Sequence, residues 1–300
     1  MLKGLRKLFA SEPAPSGGAV TLADVLKYDW LELWYQPKIE LKTLRLTGAE
    51  GLARARHPTR GVLAPGVFLP HASEADMLAL TERVIITALR DWDDCAEQGM
   101  SVKFNVNVPI SALVKLPITT IVREQRPKAA NWPGLILEVT EDEIIRDLAI
   151  ANDIAGELRA AHCSLALDDF GAGYSSIARL RELPFSELKI ERAYVSNCHV
   201  DKVNAGLCEV FCELGKRFDL TIVAEGIERI HECHKLQALG CHIGQGYLFA
   251  KPMPKPQFLA MMRQRLVPRL AAAAPRRKGL ARLIPRVQRA KAWAPREIGQ

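Results

Sequence analysis

Residues 164–176 constrain the fold of this chain more than any other segment. They form a short apolar run that ends in two adjacent carboxylates, Asp168 and Asp169, followed directly by a loop rich in glycine and hydroxyl residues. An apolar run of this length predicts a buried strand, so the carboxylates are expected at the rim of a sheet or barrel. Because two adjacent aspartates repel each other, a divalent cation between them would stabilise the pair. The alternative is a solvated Asp-Asp-Phe-Gly turn.

The same pattern, an apolar run followed by a polar residue, recurs along the chain. The polar residues in such positions are Glu50, Asn105, Asn107, Glu138, Glu141, Lys189, Glu191, Glu225, Glu228 and Gln245. Most of these runs precede a helix-like segment. A strand followed by a helix, repeated about eight times, predicts an α/β fold of the (β/α)8 TIM-barrel type, with the active site at the C-terminal rim of the strands.

The spacing of apolar residues also predicts individual elements. Helices are expected over residues 74–98, 142–161, 203–218, 230–239 and 255–266. Thr21 is expected to cap a short helix over residues 22–27, and residues 111–125 to form a helix broken at Pro117. The first strand is predicted to end at Pro37, the second to run into Glu50, and residues 58–66 to form a loop.

The two ends of the chain differ from its middle. Residues 1–20 are predicted to be a flexible basic leader with a Pro/Gly-rich stretch, residues 21–267 the barrel, and residues 268–300 a basic, disordered tail. Residues 263–300 contain eleven Lys or Arg and one acid, a charge of +10, so the chain's net +7 leaves −3 for residues 1–262. The tail mixes basic and apolar residues, which keeps contact with an anionic membrane or with nucleic acid open as further interpretations.

Composition restricts the class of protein. A hydrophobic fraction of 48% is enough to fill one large core. The chain has no apolar run of about 18 residues and no secretory signal, so we expect a cytoplasmic protein. Its seven cysteines are odd in number and scattered, which favours reduced thiols over a disulfide framework.

Polar residues of a restricted kind are predicted to meet at the barrel rim. They are Glu50, Asn107, Glu138, Asp168, Asp169, Lys189, Glu225, Glu228 and Gln245. Carboxylate and amide oxygens without His or Cys suit Mg²⁺ or Mn²⁺ rather than zinc. So many acids around one point would bind two cations about 4 Å apart, as in two-metal phosphate chemistry with an activated water. The alternative is a set of polar residues that only solvate the barrel mouth.

Several motifs, in this order, resemble those of the EAL domain family, the cyclic di-GMP phosphodiesterase fold. They are Tyr35-Gln36-Pro37, Glu50-Gly51-Leu52-Ala53-Arg54, Asn107, Glu138-Val139-Thr140-Glu141, Asp168-Asp169-Phe170-Gly171, Leu188-Lys189-Ile190, Ala224-Glu225-Gly226-Ile227-Glu228 and Gln245-Gly246-Tyr247. The resemblance covers roughly residues 22–266. It implies hydrolysis of cyclic di-GMP to linear 5′-pGpG by a water activated by two Mg²⁺ or Mn²⁺ ions per active site. It also implies a homodimer interface near the Asp-Asp-Phe-Gly loop. No cyclase (GGDEF) or receiver domain precedes the barrel in this sequence, so a standalone EAL protein is expected.

The resemblance also assigns roles to residues. The implied metal ligands are Glu50, Asn107, Glu138, Asp168 and Asp169. The implied catalytic group comprises Lys189, Glu225 as the acid near the second metal, Glu141 as the residue that fixes the Asp-Asp-Phe-Gly loop, and Glu228 as a supporting acid. The implied substrate contacts are Gln36, Leu52, Arg54 and Gln245.

Three departures from the family pattern bear on activity. Gly51 replaces the Ala of the Glu-Ala-Leu motif that gives the family its name, Glu191 replaces an Asp, and His242 replaces another Asp. The longer acid at position 191 is expected to slow turnover. Because every direct metal ligand is kept, an active enzyme is favoured. The alternative is a weak or inactive EAL-like module that binds cyclic di-GMP or a protein partner. A nucleic-acid-associated protein is a third hypothesis, which rests on the tail composition alone.

Overall fold

A computed structural model describes residues 18–99, 101–140, 156–170 and 185–264. Three predictions therefore lie wholly or largely outside the described residues: the leader, the helix over 142–161, and the basic tail. Of the predicted helix over 142–161, only its end is described, and residues 156–160 are helical.

Eight strands form a closed barrel. The strands in the described part of the chain are β1 (Leu31–Glu40), β2 (Arg45–His57), β3 (Gly61–Leu63), β4 (Lys103–Asn107), β5 (Leu135–Thr140), β6 (Cys163–Phe170), β7 (Phe185–Ile190), β8 (Thr221–Ala224), β9 (Ile243–Gly244) and β10 (Met253–Pro254). β2 and β4 to β9 pair in sequence as parallel neighbours, and β1 pairs with both β2 and β9, which closes the ring. The short β3 and β10 pair with β2 and β1. The predicted α/β barrel is confirmed.

Helices cover the outside of the barrel. Besides the helical residues 156–160, the described ranges contain α1 (Leu22–Lys27), α2 (Pro65–Phe68), α3 (Glu74–Glu97), α4 (Ile110–Lys115), α5 (Ile118–Gln125), α6 (Arg192–Val195), α7 (Lys202–Phe218), α8 (Ile230–Ala238) and α9 (Lys255–Gln264). The predicted break at Pro117 separates α4 from α5, and Thr21 caps α1 in a capping box with Asp24. In the described ranges, no helix is both long and apolar enough to cross a bilayer.

The first two strands depart from the predicted strand–helix repeat. β1 does not end at Pro37 but continues to Glu40, and residues 41–44 turn the chain directly into β2. β1 is therefore antiparallel to β2 and also to β9. The predicted end of the second strand at Glu50 is also wrong, because Glu50 lies in the middle of β2. The predicted loop over residues 58–66 contains β3 and the first two residues of α2, because the Gly and Pro residues there indicated a loop.

The apolar core lies between the barrel and its helices. Tyr35, which points outward from β1, stacks on Phe104 with ring centroids 4.7 Å apart and packs on Phe258 at 5.4 Å. Its hydroxyl donates a hydrogen bond to Asp91 Oδ2 on α3 at 2.7 Å, and Lys255 Nζ on α9 lies 2.7 Å from the other oxygen of that carboxylate. One buried polar contact thus ties a strand and two helices together on the outside of the barrel.

Replacing Gly51 with alanine is expected to stabilise the protein. A Cβ built on Gly51 would have its nearest neighbours at 3.5 Å or more, which is ordinary van der Waals contact. Because glycine inside a strand is about 0.5–1 kcal/mol less favourable than alanine, Gly51→Ala should raise the free energy of unfolding by that amount in a denaturant titration. Gly48→Ala is the contrasting variant and should destabilise, since its Cβ would lie 2.6 Å from the Lys103 carbonyl oxygen. A destabilised Gly51→Ala variant would contradict the expectation.

Candidate active site

Lys189 on β7 is the centre of the polar cluster inside the barrel. Its side chain is 1% exposed, and its Nζ lies close to four carboxylates. The distances are 2.7 Å to Glu225 Oε1, 2.8 Å to Glu138 Oε2, 3.0 Å to Asp168 Oδ1 and 3.7 Å to Glu50 Oε2. Four acids from four other strands or strand ends therefore surround one buried cation. The structure brings these five predicted site residues together.

Burial and mutual repulsion set the proton affinities in this cluster. Burial raises the pKa of Glu225 to about 7, and burial together with the charge of Glu50 raises the pKa of Glu138 well above its usual range. Burial also opposes ionisation of Glu50, but Lys189 and two hydrogen bonds outweigh it and lower the pKa of Glu50. Burial would lower the pKa of Lys189, but the surrounding carboxylates raise it well above its usual value, and Glu138 has the largest effect among them. The lysine is therefore held as a cation.

Asp168 and Asp169 reach the same side of the strand because the end of β6 is irregular. In a regular strand, successive side chains point to opposite faces. Between Leu167 and Phe170 the register of β6 against β7 shifts by one residue, and Asp169 has a φ of 54°, in the left-handed region. Aspartate tolerates this conformation better than most residues, and a bulge can redirect a side chain next to an active site. The irregularity turns both carboxylates toward the acidic cluster.

The donor atoms fit a divalent metal ion. Asp168, Asp169 and Glu225 each offer a carboxylate oxygen, and these atoms all lie within 4.8 Å of one another. Asn107 Nδ2 donates a hydrogen bond to Glu50 Oε1 at 2.8 Å, so two further predicted ligands lie next to each other. Carboxylate and amide oxygens are the ligands that Mg²⁺ and Mn²⁺ prefer. The cluster could therefore hold a hard divalent cation.

An open cavity of about 230 Å³ lies over this cluster. It is lined by Gln36, Glu50, Leu52, Asp168, Lys189, Arg192, Glu225, Gly226, Glu228, Gln245, Gly246 and Tyr247. Three of the four predicted substrate-contacting residues are in this lining. The fourth, Arg54, is not, because its guanidinium lies 5.9 Å from the Trp34 ring centroid and donates to the Ala53 carbonyl at 2.7 Å.

Gln245 joins three strands at the point where the barrel closes. Its Nε2 donates to Glu50 Oε2 at 2.6 Å and to Gln36 Oε1 at 3.1 Å. Gln36 comes from β1, which runs opposite to its neighbours, so this residue does not follow the carboxyl end of a strand as the sequence pattern predicted. The antiparallel strand still presents it at the same rim.

Sequence reasoning missed two features of the cavity. Arg192, on α6, pairs with Glu228 through an Nη2–Oε1 distance of 2.8 Å. Gly226 has a φ of 64°, and a Cβ there would lie 2.3 Å from the Arg192 side chain, so only glycine fits. The sequence offered one indication that Arg192 lies at the site, namely its position directly after Lys189-Ile190-Glu191.

The structure places the departures from the family pattern at different distances from the site. His242 Nδ1 accepts the backbone N–H of Ile222 at 3.0 Å, and its ring lines a different cavity with Glu40 and Lys42. Glu191 is near the cluster, and its charge is one of the influences that raise the pKa of Asp169, after burial and Asp168. Glu141 lies outside the described residues.

Fold and site together define a (β/α)8-barrel protein with an acidic centre built around one buried lysine. The family model of the EAL domain matches residues 19–252. The chain belongs to the EAL domain family.

Known relatives share this domain but are longer. The chain is 36% identical over 246 residues to the bifunctional diguanylate cyclase/cyclic di-GMP phosphodiesterase MucR of Pseudomonas aeruginosa, an alignment that covers 80% of this chain and 35% of MucR. It is 34% identical over 230 residues to the cyclic di-GMP phosphodiesterase RocR of the same organism, an alignment that covers 76% of this chain and 59% of RocR. The chain thus spans less than two thirds of the length of these relatives.

Solved structures show the same architecture. The structure of the PaMucR phosphodiesterase in complex with c-di-GMP matches with a TM-score of 0.72 and 34% identity, covering 79% of this chain and 97% of that one. The EAL enzyme Bd1971, with cAMP and cyclic di-GMP bound, matches with a TM-score of 0.73 and 27% identity. The match covers 80% of this chain and 67% of the Bd1971 chain.

Proposed function

We propose that this chain hydrolyses cyclic di-GMP to linear 5′-pGpG in a reaction that depends on two divalent cations. The observation that carries the proposal is the buried Lys189 among four carboxylates, beneath an open cavity at the barrel rim. Support comes from MucR and RocR, relatives named as cyclic di-GMP phosphodiesterases, and from the c-di-GMP complex that shares the fold.

The residues divide into a metal-holding group and a group that acts on the substrate. Glu50, Asn107, Glu138, Asp168 and Asp169 would hold Mg²⁺ or Mn²⁺. When bound, these ions supply positive charge opposite the phosphoryl oxygens and lower the pKa of a water molecule. The protein's own residues supply orientation and proton transfer.

Lys189 and Glu225 are the groups we assign to the reaction itself. The Lys189 ammonium keeps the surrounding acids at fixed positions and stabilises the negative charge that develops on the phosphoryl group. Glu225, whose pKa burial raises to about 7, has the proton affinity needed to accept a proton from the attacking water. Its carboxylate lines the cavity, within reach of a bound substrate.

The cavity wall would position the dinucleotide. Gln36 and Gln245 present amide groups from the closure of the barrel, and Leu52 adds an apolar surface. Arg54 must leave its place over Trp34 to reach the substrate, where a guanidinium can pair with two phosphate oxygens. Glu228, paired with Arg192, also lines the cavity.

The test is a turnover assay on the purified chain with cyclic di-GMP, in Mg²⁺, in Mn²⁺ and in chelator, beside Glu50→Ala. We expect 5′-pGpG to form only with metal and to be absent in the variant. Nucleotide binding without product in any metal would refute the hydrolase and establish the alternative, an EAL-like module that only binds the dinucleotide. If the chain neither forms product nor binds the nucleotide, both hypotheses are refuted.

Glu191 is the departure from the family pattern that supports the weak or inactive alternative, because it lies close enough for its charge to act on Asp169 and its side chain is one methylene longer than the usual Asp. We expect Glu191→Asp to raise kcat, by up to about tenfold, because it restores the shorter acid beside the proposed metal ligands, where small changes of position have large effects on rate. Steady-state kinetics of the two proteins at saturating Mn²⁺ give the measurement. An unchanged or lower kcat would show that Glu191 is not the cause of any slow turnover.

Three further proposals rest on the sequence alone. They are a homodimer, a cytoplasmic location, and contact of the basic tail with an anionic membrane or nucleic acid.

A further inference from the structure

A second polar layer lies beneath the acidic cluster, inside the barrel. It consists of Lys38, Asn105 and Glu187, which are 1%, 0% and 6% exposed, and we call it the lower polar layer. Branched apolar side chains are the usual filling of a barrel interior at this depth. Three buried polar residues there, two of them charged, require an explanation, because burying charge is costly unless it is paired.

Each member of the lower polar layer stands two residues from a residue of the candidate site on the same strand. Lys38 follows Gln36 on β1, Asn105 precedes Asn107 on β4, and Glu187 precedes Lys189 on β7. Because side chains alternate with a period of two, both members of each pair point into the barrel, about 6.6 Å apart along the strand. These three strands are not neighbours, so the residues meet across the interior.

Hydrogen bonds connect the lower polar layer to the site. Glu187 Oε2 is in contact with Lys38 Nζ and accepts a hydrogen bond from Asn105 Nδ2 at 2.9 Å. The same Asn105 Nδ2 donates to Glu138 Oε1 at 2.8 Å. The other oxygen of Glu138, Oε2, lies 2.8 Å from Lys189 Nζ. Glu138 is therefore held from below by Asn105 and from above by Lys189.

We infer that the lower polar layer positions Glu138, and through it Lys189 and the metal-holding acids. The inference rests on the proposed metal-dependent function. The layer is a poor device for stability alone, because a buried ion pair is often no more stable than well-packed apolar residues of the same size. The layer is well suited to orienting Glu138, because the Asn105 amide donates to Glu138 Oε1 and so restricts the direction in which that carboxylate can point. Lys38, Asn105 and Glu187 are therefore positioning residues.

The direct test is Asn105→Leu, which removes the donor to Glu138 and to Glu187 and keeps the branched shape and the number of heavy atoms of the side chain. The variant also removes Asn105 Oδ1, a buried oxygen without a hydrogen-bond partner, which offsets part of the cost of the lost hydrogen bonds. We expect Mn²⁺ affinity, measured by calorimetry and by electron paramagnetic resonance of free Mn²⁺, to weaken about tenfold. We also expect kcat to fall about tenfold at saturating Mn²⁺ while KM for cyclic di-GMP changes little.

The matched control is Tyr35→Phe. It removes one equally buried hydrogen bond to a carboxylate, that of Asp91, but on the outside of the barrel. This variant should lower the midpoint of thermal unfolding and leave Mn²⁺ affinity and kcat at the values of the unaltered chain. If Asn105→Leu also matches the unaltered chain in Mn²⁺ affinity and kcat, the inference is wrong and the lower polar layer only fills space.

A second variant covers the case in which Asn105→Leu does not fold. Lys38→Met combined with Glu187→Met removes both charges of the pair together and leaves Asn105 without its lower anchor. Thermal unfolding should occur at or above the temperature of the unaltered chain, while Mn²⁺ affinity weakens severalfold. Unchanged Mn²⁺ affinity in this folded variant would overturn the inference.

The metal-binding measurement separates this inference from the proposed function. A chain that binds Mn²⁺ but makes no 5′-pGpG would refute the hydrolase, and the effect of Asn105→Leu on Mn²⁺ affinity would still decide the role of the lower polar layer. A chain that binds no Mn²⁺ would overturn both.

Discussion

Lys189→Met is expected to reduce turnover of cyclic di-GMP by about 10²–10³-fold or more, the largest loss of any single change outside the proposed metal ligands. The ammonium group lies within 3.0 Å of three carboxylates, so its removal also leaves buried acids that repel one another. Breaking such a buried pair typically costs about 3–5 kcal/mol. We therefore expect a lower midpoint of thermal unfolding, and a larger rise of that midpoint on addition of Mn²⁺ than in the unaltered chain, because the cations take over the neutralising role.

The matched control for this change is Lys255→Met. Lys255 also pairs with a buried carboxylate, Asp91, but on the outside of the barrel and away from the cavity. This variant should lose stability and keep its kcat. If Lys189→Met retained more than a tenth of the turnover while Mn²⁺ was saturating, the assignment of Lys189 to the reaction would be wrong.

Glu225→Gln is expected to have the second largest effect, a loss of about 10²-fold in kcat/KM together with a changed pH profile. Burial raises the pKa of Glu225 to about 7, and Lys189 acts in the opposite direction. A base acts in its ionised form, so the kcat/KM of the unaltered chain should fall as the pH drops through that pKa. Because cations favour the ionised carboxylate, this acid limb should move to lower pH as the Mn²⁺ concentration rises.

Profiles of kcat/KM against pH at two Mn²⁺ concentrations give the measurement. Glu228→Gln serves as the comparison, since Glu228 is 44% exposed and pairs with Arg192 at the edge of the cavity. It should lose less activity and keep the acid limb. If the acid limb persists unchanged in Glu225→Gln, another group produces that limb and Glu225 is not the base.

The barrel and the residues at its rim could be predicted because each has a local signal. Apolar runs followed by acids and then by helical spacing indicate where strands end, and parallel strands bring those ends to one face. The structure brings Glu50, Glu138, Asp168 and Glu225 around Lys189 accordingly. What each group does in a reaction is not contained in that pattern and stays a proposal.

The reversed first strand could not be predicted because its turn carries no usual signal. Tight turns between antiparallel strands are normally recognised by glycine or asparagine, which tolerate a positive φ. Here residues 41–44 contain neither, and Leu44 itself adopts a φ of 57°. Tertiary contacts fix this conformation, since Gln237 Nε2 on α8 binds the Leu41 carbonyl and Leu41 N–H donates to the His242 carbonyl.

The lower polar layer escaped prediction for a different reason. A lysine near the end of a strand and a glutamate before Leu188 are common on protein surfaces, and nothing local indicates that they face inward. Lys38 and Glu187 are 149 residues apart, and only closure of the barrel brings them together. Asn105 was noted as a polar residue at a strand end, but its link to Glu138 depends on the same closure.

The closure of the barrel also determines when, during synthesis, the site can exist. β1 must pair with β9, where Ile39 meets Gly244, and Gln245 must reach back to Gln36 and Glu50. Contacts between the two ends of a domain form late, and domains begin to fold as they leave the ribosome. We therefore expect a nascent chain that stops before residue 245 to lack both the pairing of β1 with β9 and the hydrogen bonds of Gln245. The complete set of candidate site residues comes together only with the last strand of the barrel.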